Sequence, residues 1–308
     1  MSLLQNYSSV KMIIDTIFIR TCVLDKNKNY FVCNNWTTFL AVLKCLVNIV
    51  LFLILLVFSE TINRVYEAGV GSGITLVVLF LQILAIVFAF CLLQIVSLIF
   101  RNNYVKFLNA LINFEEALKD QLKCSLTFCD TRAKTVFICV FIFWGLVYIG
   151  IMVLIMSIYQ ADFSKVDLYL YACMEYFYYT LIVIVMHICY LATVIRNRYE
   201  ILIASLQNEF SAQSVSIVRL KIIVNLLERL FELQKCFGNC IRGQLIIIIF
   251  SDFAYMTVIT FSCIQNIMQF WIRLQAYCFN FVAASVFLFK LFSLVAVFDQ
   301  ISNKVKSR

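Results

Sequence analysis

The sequence predicts an all-α, polytopic membrane protein. It has six transmembrane helices, long cytosolic helical extensions, and both termini in the cytosol. Three observations predict this: an overwhelmingly apolar composition, the blockwise arrangement of the apolar residues, and a strict alternation of basic charge between the blocks. Of 308 residues, 63% are hydrophobic and 14% charged, with a mean hydropathy of +0.94. Soluble domains run at about 45–50% apolar and about 25% charged. The apolar residues come in runs of about 20 or more, the length that crosses a hydrocarbon core of about 30 Å as a helix. The chain has no proline and seven glycines, so the spans read as continuous helices without proline kinks. Residues 1–308 are read as one transmembrane domain.

The first 37 residues carry Lys11, Arg20, Lys26 and Lys28. Their longest apolar run is too interrupted for the hydrophobic region of a cleavable signal peptide. Six spans follow, at 38–58, 74–100, 135–159, 168–195, 243–268 and 274–298. From the N-terminus onward the connections hold 4, 1, 6, 1, 7, 1 and 3 Lys and Arg residues, and Lys44 and Lys290 lie within spans. Basic residues are retained in the cytosol, so the alternation places the N-terminus inside and, six crossings later, the C-terminus inside as well. The outer connections (59–73, 160–167 and 269–273) are short. The inner ones, 101–134 and 196–242, are long and helical in pattern. In "IVRLKIIVNLLERLFELQKCFGNC", Val218, Ile222, Leu226, Arg229 and Leu230 recur at helical spacing. The mixture of Glu with Lys and Arg there favours packing against partner helices over lying on anionic lipid. The net charge of +8 is accounted for by the inner loops and calls for no nucleic-acid partner.

The thirteen cysteines lie in apolar runs or basic inner connections. They read as small buried hydrophobes or acylation sites, not as disulfides. Cys236 and Cys240 have no histidine nearby, because the only one is His187, so no zinc site is expected. His187 itself reads as a packed, hydrogen-bonded helix residue. No G-x-S-x-G, H-E-x-x-H or phosphate-cradling glycine loop occurs. An enzyme is not expected, nor are catalytic residues or a cofactor. The sequons Asn6-Tyr7-Ser8 and Asn35-Trp36-Thr37 fall on the cytosolic side and are expected to go unused.

Charged residues inside spans are costly and point to function or to pairing. Glu175 lies in the outer half of the fourth span, with Tyr178 and Tyr179 beside it at helical spacing. A carboxylate among phenol rings suits an amine or alkaloid ligand through charge and cation–π contact. The competing reading is a shallow carboxylate that reaches interfacial water beside an aromatic belt. Tyr159, Gln82, Tyr277 and Asn280 lie at similar depth on other spans and complete the candidate cavity. Asp252 and Lys290 lie at about 13–15 Å from the cytosolic ends of their helices at about 1.5 Å per residue, and adjacent antiparallel helices would pair them. Lys44, at comparable depth, is a rival partner, and snorkelling of either lysine is the alternative to pairing.

The layout resembles the insect gustatory receptor family, within the insect chemoreceptor superfamily. The most similar stretch is 226–261, "LLERLFELQKCFGNCIRGQLIIIIFSDFAYMTVITF". Phe237, Gly238, Gln244 and Leu245 stand there where the family has Phe-Gly and then Gln-Leu before an aliphatic run. "FDQISNKVKSR" resembles the family's cytosolic stretch after the sixth span. The resemblance implies a chemoreceptor subunit of a ligand-gated, non-selective cation channel in the cell membrane. Such a subunit senses a small-molecule tastant and assembles as a homo- or hetero-tetramer with related receptors. In that family a seventh span lines the pore and carries Thr-Tyr, five residues, then Gln-Phe. Here Gln269-Phe270 is preceded by Ser262-Cys263 and followed by another span, so a pore-lining seventh span is expected to be missing. Alternative readings are an odorant receptor of the same superfamily, a six-span transporter, or a scaffold subunit without its own pore.

Overall fold

The computed structural model describes residues 10, 22–25, 30–57, 73–122, 127–158, 165–211, 216–268 and 274–306. Among them are helices Asn35–Val57 (α1), Gly73–Ile99 (α2), Arg101–Leu122 (α3), Thr127–Ile158 (α4), Lys165–Ser211 (α5), Ile217–Met268 (α6) and Leu274–Lys306 (α7). Three stretches, Thr131–Gly150, Tyr179–Ser211 and Ile217–Ala254, are long and apolar enough to cross a membrane. The bent pair formed by α2 and α3 makes a fourth candidate.

The surface shows why this is a membrane protein. Phe39, Leu43, Leu46, Val50 and Leu53 line an exposed face of α1, and Val136, Phe143, Leu146, Ile149 and Val153 an exposed face of α4. Ile246, Phe250 and Phe253 do the same on α6, where Phe250 is 72% exposed. Apolar faces of this extent aggregate in water but are solvated by lipid. The long helix α5 is the opposite case. From Thr180 through Val185 and from His187 through Ala192 every side chain is buried. It is the central post of the bundle, with α2, α4, α6 and α7 packed around it.

The wholly helical expectation needs one correction. Val23–Asp25 (β1) and Tyr30–Val32 (β2) pair antiparallel, with Val23 opposite Val32 and Leu24 opposite Phe31. Short runs of Val, Leu, Tyr and Phe on either side of Lys-Asn-Lys-Asn favour a strand–turn–strand path over a helix. The ribbon rests on α3, where the Asn109 side chain accepts a hydrogen bond from the Phe31 N–H at 2.7 Å and donates to the Phe31 carbonyl at 2.9 Å.

The helix starts are set locally. Asn34 Oδ1 accepts from the Thr37 N–H at 2.7 Å, and Thr37 Oγ1 accepts from the Asn34 N–H at 3.2 Å. This reciprocal cap starts α1 three residues before the predicted 38. It also buries the threonine of the Asn35 sequon within the helix start.

The predicted inner connections are mostly helical. Residues 101–122 form α3, 196–211 extend α5, and 217–242 form the first half of α6. Of the residues predicted at helical spacing on α6, Leu226 and Leu230 are buried and Ile222 is half-buried. Val218 and Arg229 are exposed, and the buried line is Ile223, Leu226, Leu230, Leu233, Phe237 and Cys240. That line faces α3 and α5, with Phe237 against Phe107 at 5.1 Å. A helix with charges on several faces leaves its buried stripe ambiguous by about one position, and the neighbours decide it.

Candidate functional site

Two of the charges predicted within spans, Asp252 and Lys290, come together where α6 meets α7. Lys290 Nζ lies 2.5 Å from Asp252 Oδ1, and both residues are buried. The i→i−4 backbone ladders of two antiparallel helices carry them to the same level, and each ion supplies the other with the partner that lipid cannot. One residue before Asp252, Ser251 turns its hydroxyl onto the Ile248 carbonyl at 2.9 Å. Lys44 is half-buried on α1. Its neighbour one turn on, Asn48, donates to Gln94 Oε1 of α2 at 2.8 Å, and both amides are buried.

The seam between α2 and α6 holds Gln244, one of the residues on which the predicted resemblance rests. Gln244 Nε2 donates to Ser97 Oγ at 2.8 Å, and Ser97 donates to the Leu93 carbonyl at 2.7 Å. Beside it, a Cβ on Gly243 would stand 2.9 Å from Val96 Cγ1. Glycine at that position lets the two helices approach closely enough for the Gln244 bond to form. Gly238, by contrast, has open space where a Cβ would stand, so packing within the chain does not require it.

An aromatic face joins α4 to α5. The Tyr179 hydroxyl donates to the Phe141 carbonyl at 3.1 Å, and its ring packs against Phe141 at 5.7 Å and Tyr148 at 5.5 Å. Gly145 leaves room for the phenol, with a Cβ there 3.4 Å from the Tyr179 oxygen. Trp144 turns the other way, onto Phe289 of α7 at 5.6 Å. Tyr179 therefore spends its hydroxyl on a neighbouring helix. Of the other predicted cavity residues, Tyr159 lies outside the described residues. So do the side chains of Gln82, Glu175, Tyr178, Tyr277 and Asn280, and Gln269 and Phe270.

Two groups were missed from sequence. Arg198 of α5 is wholly buried and forms an ion pair with Glu115 of α3, itself buried. One residue on, Tyr199 donates to Gln234 of α6 at 2.7 Å. Nothing local distinguishes Arg198 from its half-buried neighbour Arg196, because its partner is 83 positions away. His187 is buried and hydrogen-bonded to the Tyr104 hydroxyl at 2.9 Å. Near the start of α1, burial pushes the Cys33 thiol up, against the pull of the Arg101 charge. Among the described residues, no group of three or more His, Cys, Asp or Glu is placed to hold a metal ion.

The arrangement joins helices through buried polar contacts. Compared with known families, the chain matches the one described as 7tm chemosensory receptor over residues 25–307. No curated protein matches it.

Proposed function

The chain belongs to the 7tm chemosensory receptor family, and on that premise we propose that it is a gustatory-type subunit of a ligand-gated, non-selective cation channel in the cell membrane. Its six spans are 38–58, 74–100, 135–159, 168–195, 243–268 and 274–298, with both termini in the cytosol. The observation that carries the reading is the family match along nearly the whole chain. The alternation of basic loops supports the orientation. The seam at Gly243 and Gln244 gives the family-like stretch a physical task, since its amide holds α6 to α2.

In this reading a small tastant enters between the outer parts of the helices around α5. Glu175 and Tyr178 supply charge and ring faces to an amine or alkaloid, with Gln82, Tyr159, Tyr277 and Asn280 completing the wall. Tyr179 shapes that wall through its bond to α4. Asp252 and Lys290 serve structure, as does Lys44. Subunits assemble as a tetramer with copies of themselves or with relatives.

The test is ligand-evoked current from cells expressing the chain alone and together with other members of the family. Currents that depend on this chain, and that fall when Glu175→Gln is introduced, support the reading. Substrate uptake without current overturns it in favour of a six-span transporter. Responses to volatile but not to contact stimuli move the assignment to the odorant branch.

A further inference from the structure

Helices α2 and α3 meet at Phe100 with a bend of 63°. Sharp bends have local causes in most helices: a proline, a glycine, or a bulge. Residues 91–110, "CLLQIVSLIFRNNYVKFLNA", contain neither Pro nor Gly. Hydrogen bonds of helical spacing reach Phe100 from both sides, Phe100 N to the Val96 carbonyl at 2.9 Å and Tyr104 N to the Phe100 carbonyl at 3.1 Å. Among the described residues, the local perturbation seen is the Ser97 hydroxyl on the Leu93 carbonyl, which bends helices slightly. The rest of the bend is imposed from outside.

Four elements grip the elbow. From α1, Thr38 Oγ1 accepts a hydrogen bond from Arg101 at 2.7 Å, on the first residue of α3. From α6, Gly243 lies against Val96 and the Phe100 ring, and Gln244 bonds Ser97. From α5, His187 holds the Tyr104 hydroxyl at 2.9 Å. Farther along, β2 holds Asn109 through two hydrogen bonds to Phe31. Each contact crosses to a different helix or strand, and each involves a residue within about three turns of the bend.

We infer that the α2–α3 elbow is a hinge held bent by these tertiary contacts, so that displacement of α5 or α6 at the elbow is passed to the orientation of α3. The intrinsic preference of 91–110 is a continued helix, and the bent form exists because Thr38, Gln244 and His187 hold it. This gives two arrangements of one element, bent and extended, biased by α1, α5 and α6 together. The inference concerns the elbow alone and does not depend on what ligand the receptor takes.

The test is a distance across the elbow in the full chain in lipid nanodiscs. Spin labels go in as noncanonical amino acids at Phe88 and Glu116, both exposed, which leaves the native cysteines untouched. The two sites lie about 18 Å and about 24 Å from the elbow along their helices at about 1.5 Å per residue. A bend of 63° puts them about 36 Å apart and a straight helix about 42 Å. The unaltered protein should give the shorter distance. The triple variant Thr38→Val, Tyr104→Phe, Gln244→Leu should shift the distribution by about 6 Å or split it in two. A triple variant that is monodisperse, keeps its helical circular dichroism and retains the shorter distance overturns the inference. If the triple variant does not fold, Thr38→Val and Gln244→Leu are measured singly. A longer population in either supports the hinge, and the unaltered distance in both overturns it.

Discussion

Replacing Lys290 with Met leaves the Asp252 carboxylate buried without its counter-ion. The separation of 2.5 Å corresponds to an attraction of about 7 kcal/mol at an effective dielectric constant of about 20. Desolvating the two ions costs several kcal/mol each, so the pair as a whole adds little net stability over an apolar pair. Removing one partner is different, because the penalty for the other remains, and losses of about 3–5 kcal/mol are expected for each single variant. Asp252→Leu and Lys290→Met should therefore each be strongly destabilising in SDS-titrated unfolding from mixed micelles. The double variant Asp252→Leu, Lys290→Met removes both desolvation costs and should return to within about 1–2 kcal/mol of the unaltered protein. The exchange Asp252→Lys, Lys290→Asp should recover much of the loss at the plasma membrane, measured by surface labelling. A double variant whose loss equals the sum of the two singles would refute the reasoning, since independent residues add and a coupled pair does not.

Gly243→Ala places a methyl 2.9 Å from Val96 Cγ1 and should cost about 1–3 kcal/mol by overpacking. Val96→Ala on the same background should restore most of it, again read by unfolding in micelles. Arg198→Ala strips the counter-ion from buried Glu115 and should lower the thermal midpoint by more than any surface Lys or Arg substitution, with a loss of about 3–5 kcal/mol. Arg198→Lys should recover only part of that midpoint, because an ammonium does not reproduce the guanidinium geometry. Tyr179→Phe keeps the ring contacts and loses one bond to the Phe141 carbonyl, for a cost of about 0.5–1.5 kcal/mol in the same assay. Asn35 should carry no glycan, so peptide-N-glycosidase treatment should leave mobility unchanged while Asn35→Gln does the same. A shift on treatment that Asn35→Gln abolishes would reverse the orientation of the first span.

How much of this was legible in sequence follows the reach of each interaction. Apolar blocks of membrane length state where helices lie, and all six predicted spans fall within or nearly within a helix of the structure. Asp252 and Lys290 could be placed at one depth by counting residues, because helical rise is constant and both stand alone in apolar surroundings. Arg198 and Glu115 could not. They lie among other charges on helices whose crossing is set by packing, so nothing in either neighbourhood marks them. The ribbon was missed because three-residue strands leave almost no periodic trace. Gly243 stood one residue from the family-like Gln244, yet its value depends on Val96 lying opposite it. The sequence of α6 alone contains no information about that neighbour.

The distribution of the buried polar contacts suggests what they are for. In water, burying an apolar face selects a partner helix, but in lipid the tails are as apolar as the partner, and the selection is lost. Polar contacts supply it instead. Most of the principal helix contacts in this bundle carry one: Asn48 with Gln94 for α1 and α2, Ser97 with Gln244 for α2 and α6, and Asp252 with Lys290 for α6 and α7. Tyr179 on the Phe141 carbonyl joins α4 to α5; past the end of the predicted fourth span, Tyr199 on Gln234 joins α5 to α6 and the exposed contact of Arg196 with Gln300 joins α5 to α7. Such uncharged bonds within membranes contribute about 0.6 kcal/mol each on average. That is too little to hold the helices together but enough, repeated at each seam, to decide which helix lies beside which. Helix α5 takes part in three of these six contacts and between Thr180 and Tyr199 is buried on nearly every side. A movement of α5 must therefore break or carry several seams at once, which makes α5 the element through which a change on one side of the bundle reaches the other.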